Sequence, residues 1–165
     1  MAKKKPPKGA PAGTKLIASN RAARRNYAID EVVEAGVVLL GSEVKSMREA
    51  QVQLADAYAR LRDGEAWLEG VHVAPYTFAA GFGAHDPDRP RKLLLHRDEI
   101  VRLKAKVDQE RVSIVPLSLY FREGRVKVEL GVGKGRTRED KRQAIAERDV
   151  QREVDREMRR YAKGR

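Results

Sequence analysis

Residues 112–136 read VSIVPLSLYFREGRVKVELGVGKGR. Two β-rich runs flank the turn pair Glu123-Gly124, and in the second run Val126, Val128 and Leu130 face one way while Arg125, Lys127 and Glu129 face the other. That alternation predicts a hairpin with one face buried and one wet. Pro116 has no N–H to give to a ladder, which predicts an edge position or a bulge in the first run.

The same device recurs upstream. YARLRDGEAWLEGVHV places Asp63-Gly64 between two strand-like runs, the strongest short-range hairpin signal in the chain. NYAIDEVVEAGVVLL reads as two strands, with Gly36 interrupting as a hairpin or bulge glycine would. KLLLH resumes as a buried strand. Helices are expected in three places: a short basic turn in RAARR capped by Ser19 or Asn20, the stretch Glu43 to Ala50, and a segment where Ile100, Leu103 and Val107 recur at helical spacing. The Gly- and Pro-rich stretch from Pro75 to Pro90 reads as a long mobile loop. Short strands joined by hairpins, with a few helices between, predict a small closed or nearly closed antiparallel barrel. Side chains fill a barrel of this size, so its working surface must lie outside it.

Charge sets the class of partner. The net charge of +11 divides into +8 over residues 1–25, −2 over residues 26–131 and +5 over residues 132–165. A nearly neutral body with basic arms is suited to a polyanion, and nucleic acid is the expected partner. With 165 residues and 41% hydrophobic content the chain can bury one modest core. The expected division is a disordered basic N-terminus over residues 1–14, a folded unit over 15–133 and a basic tail over 134–165. The chain has no cysteine, which removes disulfides and thiolate metal sites and suits a reducing cytosol. His72, His85 and His96 show no metal-ligand spacing. No apolar stretch approaches the roughly 18 residues of a membrane span, and the Lys-rich start lacks the apolar core of a signal peptide.

Catalytic patterns fail in turn. GVGKGR lacks the spacing of a phosphate-binding loop and opens no helix directly. Ser42-Glu43-Val44-Lys45 fits the Ser-x-x-Lys pattern of acyl-transferring serines but has no companion motif. Asp86 and Asp88, flanked by Pro87 and Pro90, are read as turn residues in preference to Mg²⁺ ligands of a nuclease. No enzyme, metal or cofactor is expected.

LIASNRAARRNY, EAGVVLLGSEVKSMR, DGEAWLEGVHVAPY, DPDRPRKLLLH, VPLSLYFREGRVKVELGVGKGR and DKR, in this order, resemble the small protein B family, the bacterial partners of transfer-messenger RNA (tmRNA) in trans-translation. The resemblance runs from about residue 15 into the tail. It implies an oligonucleotide-binding (OB) type β-barrel with about three helices. It also implies a cytoplasmic, monomeric, non-enzymatic RNA-binding protein that acts with elongation factor Tu in a delivery complex at stalled ribosomes. The barrel would bind the tRNA-like domain of tmRNA, and the tail would enter the empty messenger channel at the decoding centre of 16S rRNA. RNA-facing positions carried over from the matched stretches are Asn20, Arg21, Arg24, Glu34, Glu43, Lys45, Arg48, Arg91, Lys92, Leu94 and Lys127. Lys45, Arg48 and Lys127 can meet phosphates, whereas Glu34 and Glu43 would accept from base edges or 2′-hydroxyls, or orient a neighbouring arginine.

In the tail, Lys134, Arg136 and Arg138 are expected as early phosphate contacts, with Gly131, Gly133 and Gly135 as a hinge. Asp140, Lys141 and Arg142 match the family's triplet at the decoding site, with Glu139 where the family often carries an aromatic ring or histidine. Beyond them, Val150, Val154 and Met158 form one helical row and Arg148, Arg152, Arg156 and Arg160 another. The apolar row is thin, so the tail is expected to be disordered when free and helical on the ribosome.

Overall fold

The structure, a computed structural model, describes residues 11–76 and 84–164. Residues 1–10 of the N-terminus expected to be disordered, and residues 77–83 of the loop expected to be mobile, lie outside the described residues. In chain order the elements are β1 (Lys15–Ser19), α1 (Arg21–Asn26), β2 (Tyr27–Val37), α2 (Gly41–Arg48), β3 (Val52–Gln53), β4 (Tyr58–Arg62), β5 (Glu65–Glu69), β6 (His72–Val73), β7 (Arg91–Leu94), α3 (Arg97–Glu110), β8 (Ser113–Arg122), β9 (Arg125–Gly135) and α4 (Arg138–Lys163).

Seven strands pair in the order β1-β8-β4-β5-β7-β2-β9, and β9 is bonded to β8 as well as to β2, so the pairings come back to β8. All of the pairings are antiparallel. β4 meets β8 at one residue pair, Ala59 with Ile114. The strands β3 and β6 make a separate ribbon.

Both hairpin readings hold. Asp63 and Gly64 take φ of 53° and 73°, and Glu123 and Gly124 take 51° and 76°, the two positive values that a tight turn matched to strand twist requires. Pro116 sits at a bulge: it pairs with Leu130, and the next pair is Ser118 with Glu129, leaving Leu117 as the extra residue. The bulge resets the alternation, so Ile114 and Leu119, an odd distance apart, both enter the main core. Val115 and Leu117 instead pack with Ala23 of α1, and with Tyr27 and Ile29, on the other side of the strand.

Three expectations change. The two strands read around Gly36 are one, β2, because Gly36 pairs with Leu94 of β7 on one side and Lys127 of β9 on the other. The folded unit does not stop at residue 133, since β9 pairs with β2 as far as Gly135 opposite Tyr27. Nor do the glycines form a hinge. A Cβ on Gly133 would lie 2.0 Å from the Ala28 carbonyl oxygen, and one on Gly131 would lie 2.9 Å from Ile29 Cδ1 and Leu117 Cδ1. At Gly133 the two strands approach too closely for any other residue, at Gly131 side-chain ends would have to give, and Gly135 is held by its pairing with Tyr27.

The tail is expected to be helical on the ribosome. In this structure it is α4, a 26-residue helix with no buried residue. At about 1.5 Å per residue it is roughly 39 Å long. Its length, its N-terminal cap and ion pairs such as Arg152 to Asp149 at 3.8 Å all favour helix without a core to pack on. Among the described residues no helix is long and apolar enough to cross a membrane.

Candidate nucleic-acid interface

The face of β8-β9-β2-β7 that carries Lys127 and Glu129 gathers half-buried polar positions around the fully buried Tyr120 and Ser118. Opposite pairs are Tyr120 with Lys127, Ser118 with Glu129, Glu34 with Glu129, and Gly36 with both Lys127 and Leu94. Glu34 lies at the centre of this face. It accepts from the Tyr120 hydroxyl and from Arg122 Nη1 at 3.0 Å. Burial, with the Glu34 carboxylate beside it, pushes the Tyr120 phenol well above its ordinary range, so it remains a donor to Glu34. Glu34 is half-buried, which leaves it surface for a further donor. Leu94, expected both in an apolar run and facing RNA, is 57% exposed, while its neighbour Leu93 is buried.

Cations rim the face. Arg24 of α1 reaches Glu129 at 3.2 Å and Lys92 reaches Glu65 at 2.8 Å, both exposed pairs that an incoming phosphate can compete for. Arg21, Arg48 and Lys127 have no ion-pair partner among the described residues, and Lys45 stands 5.4 Å from the Tyr76 ring centroid. These side chains carry charge that the body does not neutralise.

Three positions expected to face RNA are instead inside. Asn20 is 3% exposed. Its Oδ1 caps α1 by accepting from the Ala23 N–H at 3.0 Å, and its Nδ2 donates to the carbonyls of Leu54 and Pro116. Glu43 and Arg91 are both fully buried and bound to each other at 2.9 Å. Glu43 also accepts from the Leu40 N–H at 2.8 Å, which starts α2 two residues before the expected Glu43, and from Arg89 at 2.8 and 2.6 Å. Burial pushes the Glu43 carboxyl up, but the bonds from Arg89, Leu40 and Arg91 outweigh it and hold it below the usual glutamate range. Arg91 donates onward to the carbonyls of Val71 and Pro87. The physical reason is shared: Asn20 and Arg91 each satisfy backbone groups of several segments at once, and Glu43 joins the Leu40 N–H to Arg89 and Arg91, so all three serve from within. A basic or amide residue in a basic motif gives no sequence signal of this.

The remaining chemical candidates resolve as structure. The Ser42 hydroxyl bonds His85 Nδ1 at 2.8 Å, while His85 Nε2 faces the Val73 carbonyl at 3.1 Å; Lys45 does not take part. Because Val73 offers only an acceptor, Nε2 carries the proton and Nδ1 accepts from Ser42. Asp86 accepts from the Asp88 N–H at 3.0 Å and Asp88 pairs with His72 at 2.8 Å, as turn residues do. No group of three or more His, Cys, Asp or Glu suited to a metal occurs among the described residues.

On α4 the arginine row from Arg148 to Arg160 runs roughly 18 Å along one side at 1.5 Å per residue. Val150, Val154 and Met158 are 61%, 47% and 67% exposed. Lys134, Arg138 and Arg142 are exposed, and Arg136 and Lys141 are half-buried. Asp140 is engaged with Thr137, a residue to which the sequence had drawn no attention although Thr-x-x-Asp is a capping pattern.

Comparison with known proteins gives relatives that span nearly the whole chain. The SsrA-binding protein of Mycolicibacterium smegmatis is 51% identical over 158 residues, covering 96% of this chain and 98% of its own. Those of Acidothermus cellulolyticus and Mycobacterium tuberculosis are 51% and 53% identical over 152 residues, covering 92% of this chain and 95% and 94% of their own. A solved structure described as "tmRNA-SmpB: a journey to the center of the bacterial ribosome" contains a chain 44% identical, with a TM-score of 0.62, covering 81% of this chain and 95% of that one. The model of the SmpB protein family spans residues 17–160, from β1 through nearly all of α4, and on that match and those identities this chain belongs to the SmpB family.

Proposed function

We propose that the chain binds the tRNA-like domain of tmRNA (SsrA RNA) and carries it to stalled ribosomes for trans-translation, the rescue of the ribosome and tagging of the nascent peptide. The returning order of strand pairings is an OB-type barrel in this reading, and RNA lies across its β8-β9-β2-β7 face. Lys45, Arg48, Lys92, Lys127, Arg21 and Arg24 meet phosphates, Glu34 accepts from a base edge or 2′-hydroxyl, and Leu94 packs against a base or ribose. Asn20, Glu43 and Arg91 hold the strands and helices from which those side chains project. The protein acts in the cytoplasm as a monomer alongside elongation factor Tu, and supplies no catalytic group.

The observation that carries the reading is α4. A 26-residue helix with no buried residue and an arginine row along one side is built to be covered by something else. A polyanionic channel is what such a charge pattern fits, and the empty messenger channel with the decoding centre of 16S rRNA is the one proposed. Lys134, Arg136 and Arg138 contact its entrance, Asp140, Lys141 and Arg142 stand at the decoding site, and Arg148, Arg152, Arg156 and Met158 follow the channel.

A chain stopped after Gly135 tests the division of labour. It keeps all of β9 and loses a helix with no buried residue, so it stays folded. It is expected to bind tmRNA within a few-fold of the full chain by filter binding, and to fail at tagging in a reconstituted translation system. Loss of binding and tagging together would make the tail a general RNA-binding arm, and tagging at the full rate would remove its decoding role.

A further inference from the structure

The junction between the sheet and α4 contains no slack. Gly135 is still paired with Tyr27, and the next residue, Arg136, donates its N–H to the Asn26 carbonyl at 2.8 Å. The residue after that, Thr137, is already the N-cap of the helix. Its hydroxyl accepts from the Asp140 N–H at 3.2 Å and donates to Asp140 Oδ2 at 2.7 Å. The same Oδ2 accepts from the Thr137 N–H at 3.1 Å. Three bonds thus close a reciprocal capping box directly on the last ladder bond of the sheet. Farther along, Arg148 reaches back to the Arg24 carbonyl of α1 at 3.4 Å.

We infer that Thr137 is a positioning residue: its capping box with Asp140 sets the point and rotational phase at which α4 leaves the sheet, and so aims Lys141, Arg142 and the arginine row as one body. This rests on the reading of α4 as the part that occupies the messenger channel. Successive residues of a helix are about 100° apart around its axis at 3.6 per turn, so a first turn that frays leaves the triplet without a defined direction even when the rest remains helical. Asp140 then has a role besides any contact to rRNA. The hydrogen bonds from the Thr137 side chain and backbone hold its carboxyl below the ordinary aspartate range, so the box is charged and closed at neutral pH. Thr137 tests the box without altering a side chain of the triplet.

The experiment compares full-length Thr137→Ala and Thr137→Ser chains with the parent. Three quantities are measured: ¹³Cα secondary shifts of residues 138–141, tmRNA affinity by filter binding, and tagging on stalled ribosomes. Thr137→Ala is expected to lower the helix–coil equilibrium constant of the first turn roughly fivefold, the scale of a missing cap, and the shifts read the resulting loss of helical population. Tagging should fall in proportion to that helical population while tmRNA affinity stays within about twofold, because the cap lies off the sheet face. Thr137→Ser keeps the hydroxyl and should restore both. First-turn shifts unchanged in Thr137→Ala, or shifts reduced with tagging at the parent rate, would overturn the inference. Tagging at the full rate by the chain stopped after Gly135 would instead overturn the reading beneath it.

Discussion

Glu43→Ala should be the most damaging single substitution in the buried polar network, and its cost can be worked from the hydrogen bonds. The carboxylate accepts four donors, from the Leu40 N–H, Arg89 Nε and Nη2, and Arg91 Nε. Arg89 is 26% exposed at its side chain and can turn to water, but Arg91 is fully buried and keeps backbone carbonyls alone, those of Val71, Pro87 and, at 3.5 Å, Asp86. The loss is therefore that of leaving a guanidinium uncompensated inside the protein, about 4 kcal/mol. Against a total stability of about 5–15 kcal/mol this lowers Tm on the order of 15 °C. Near-UV circular dichroism around Trp67 on heating, with urea titration, measures it. Removing both buried charges with Glu43→Leu and Arg91→Met should cost clearly less than Glu43→Ala, since no fully buried charge is then orphaned and only Arg89, half-exposed, and the backbone groups of Leu40, Val71 and Pro87 lose partners. That double variant should also retain tmRNA affinity, as neither residue has surface to offer. A loss below about 1 kcal/mol in Glu43→Ala, or a double variant as unstable as the single, would refute the reasoning. The carboxyl is held below its ordinary value of 4.5, so its contribution is present above pH 4.5 and is lost as pH falls through the lower folded value. Glu43→Gln should flatten that acid limb of the stability profile.

Two further expectations concern the glycines of β9 and the cations of the interface. Gly133→Ala places a methyl 2.0 Å from the Ala28 carbonyl oxygen, where only backbone can move, and should cost about 3 kcal/mol or more in urea unfolding, whereas Gly131→Ala meets only the ends of Ile29 and Leu117 and should cost about 1 kcal/mol. Lys45→Ala with Lys127→Ala should weaken tmRNA binding and make the dependence of log K on log salt shallower by roughly 0.7 to 0.9 for each phosphate no longer neutralised, with an unchanged slope moving these lysines off the interface.

Much of this protein is legible along the chain because it depends on neighbours in sequence. Alternation of Val126, Val128 and Leu130 with Arg125, Lys127 and Glu129 depends only on the two-residue repeat of a strand, and Asp63-Gly64 and Glu123-Gly124 turn by their own dihedrals. The basic ends and the neutral body are additive quantities, independent of how the chain folds. What tertiary structure alone decides is which polar residue faces water. Arg91 and Lys92 are adjacent in a basic motif, yet one is sealed against Glu43 and the other lies at the surface beside Glu65, because successive residues of a strand take opposite faces and long-range packing chooses between them. The glycines of β9 followed the same rule. Flexibility is their local property, but the approach of Ala28 and Ile29, over a hundred residues earlier, turns Gly133 from a joint into a closely packed strand position, so that the tail departs at Thr137 rather than bending before it.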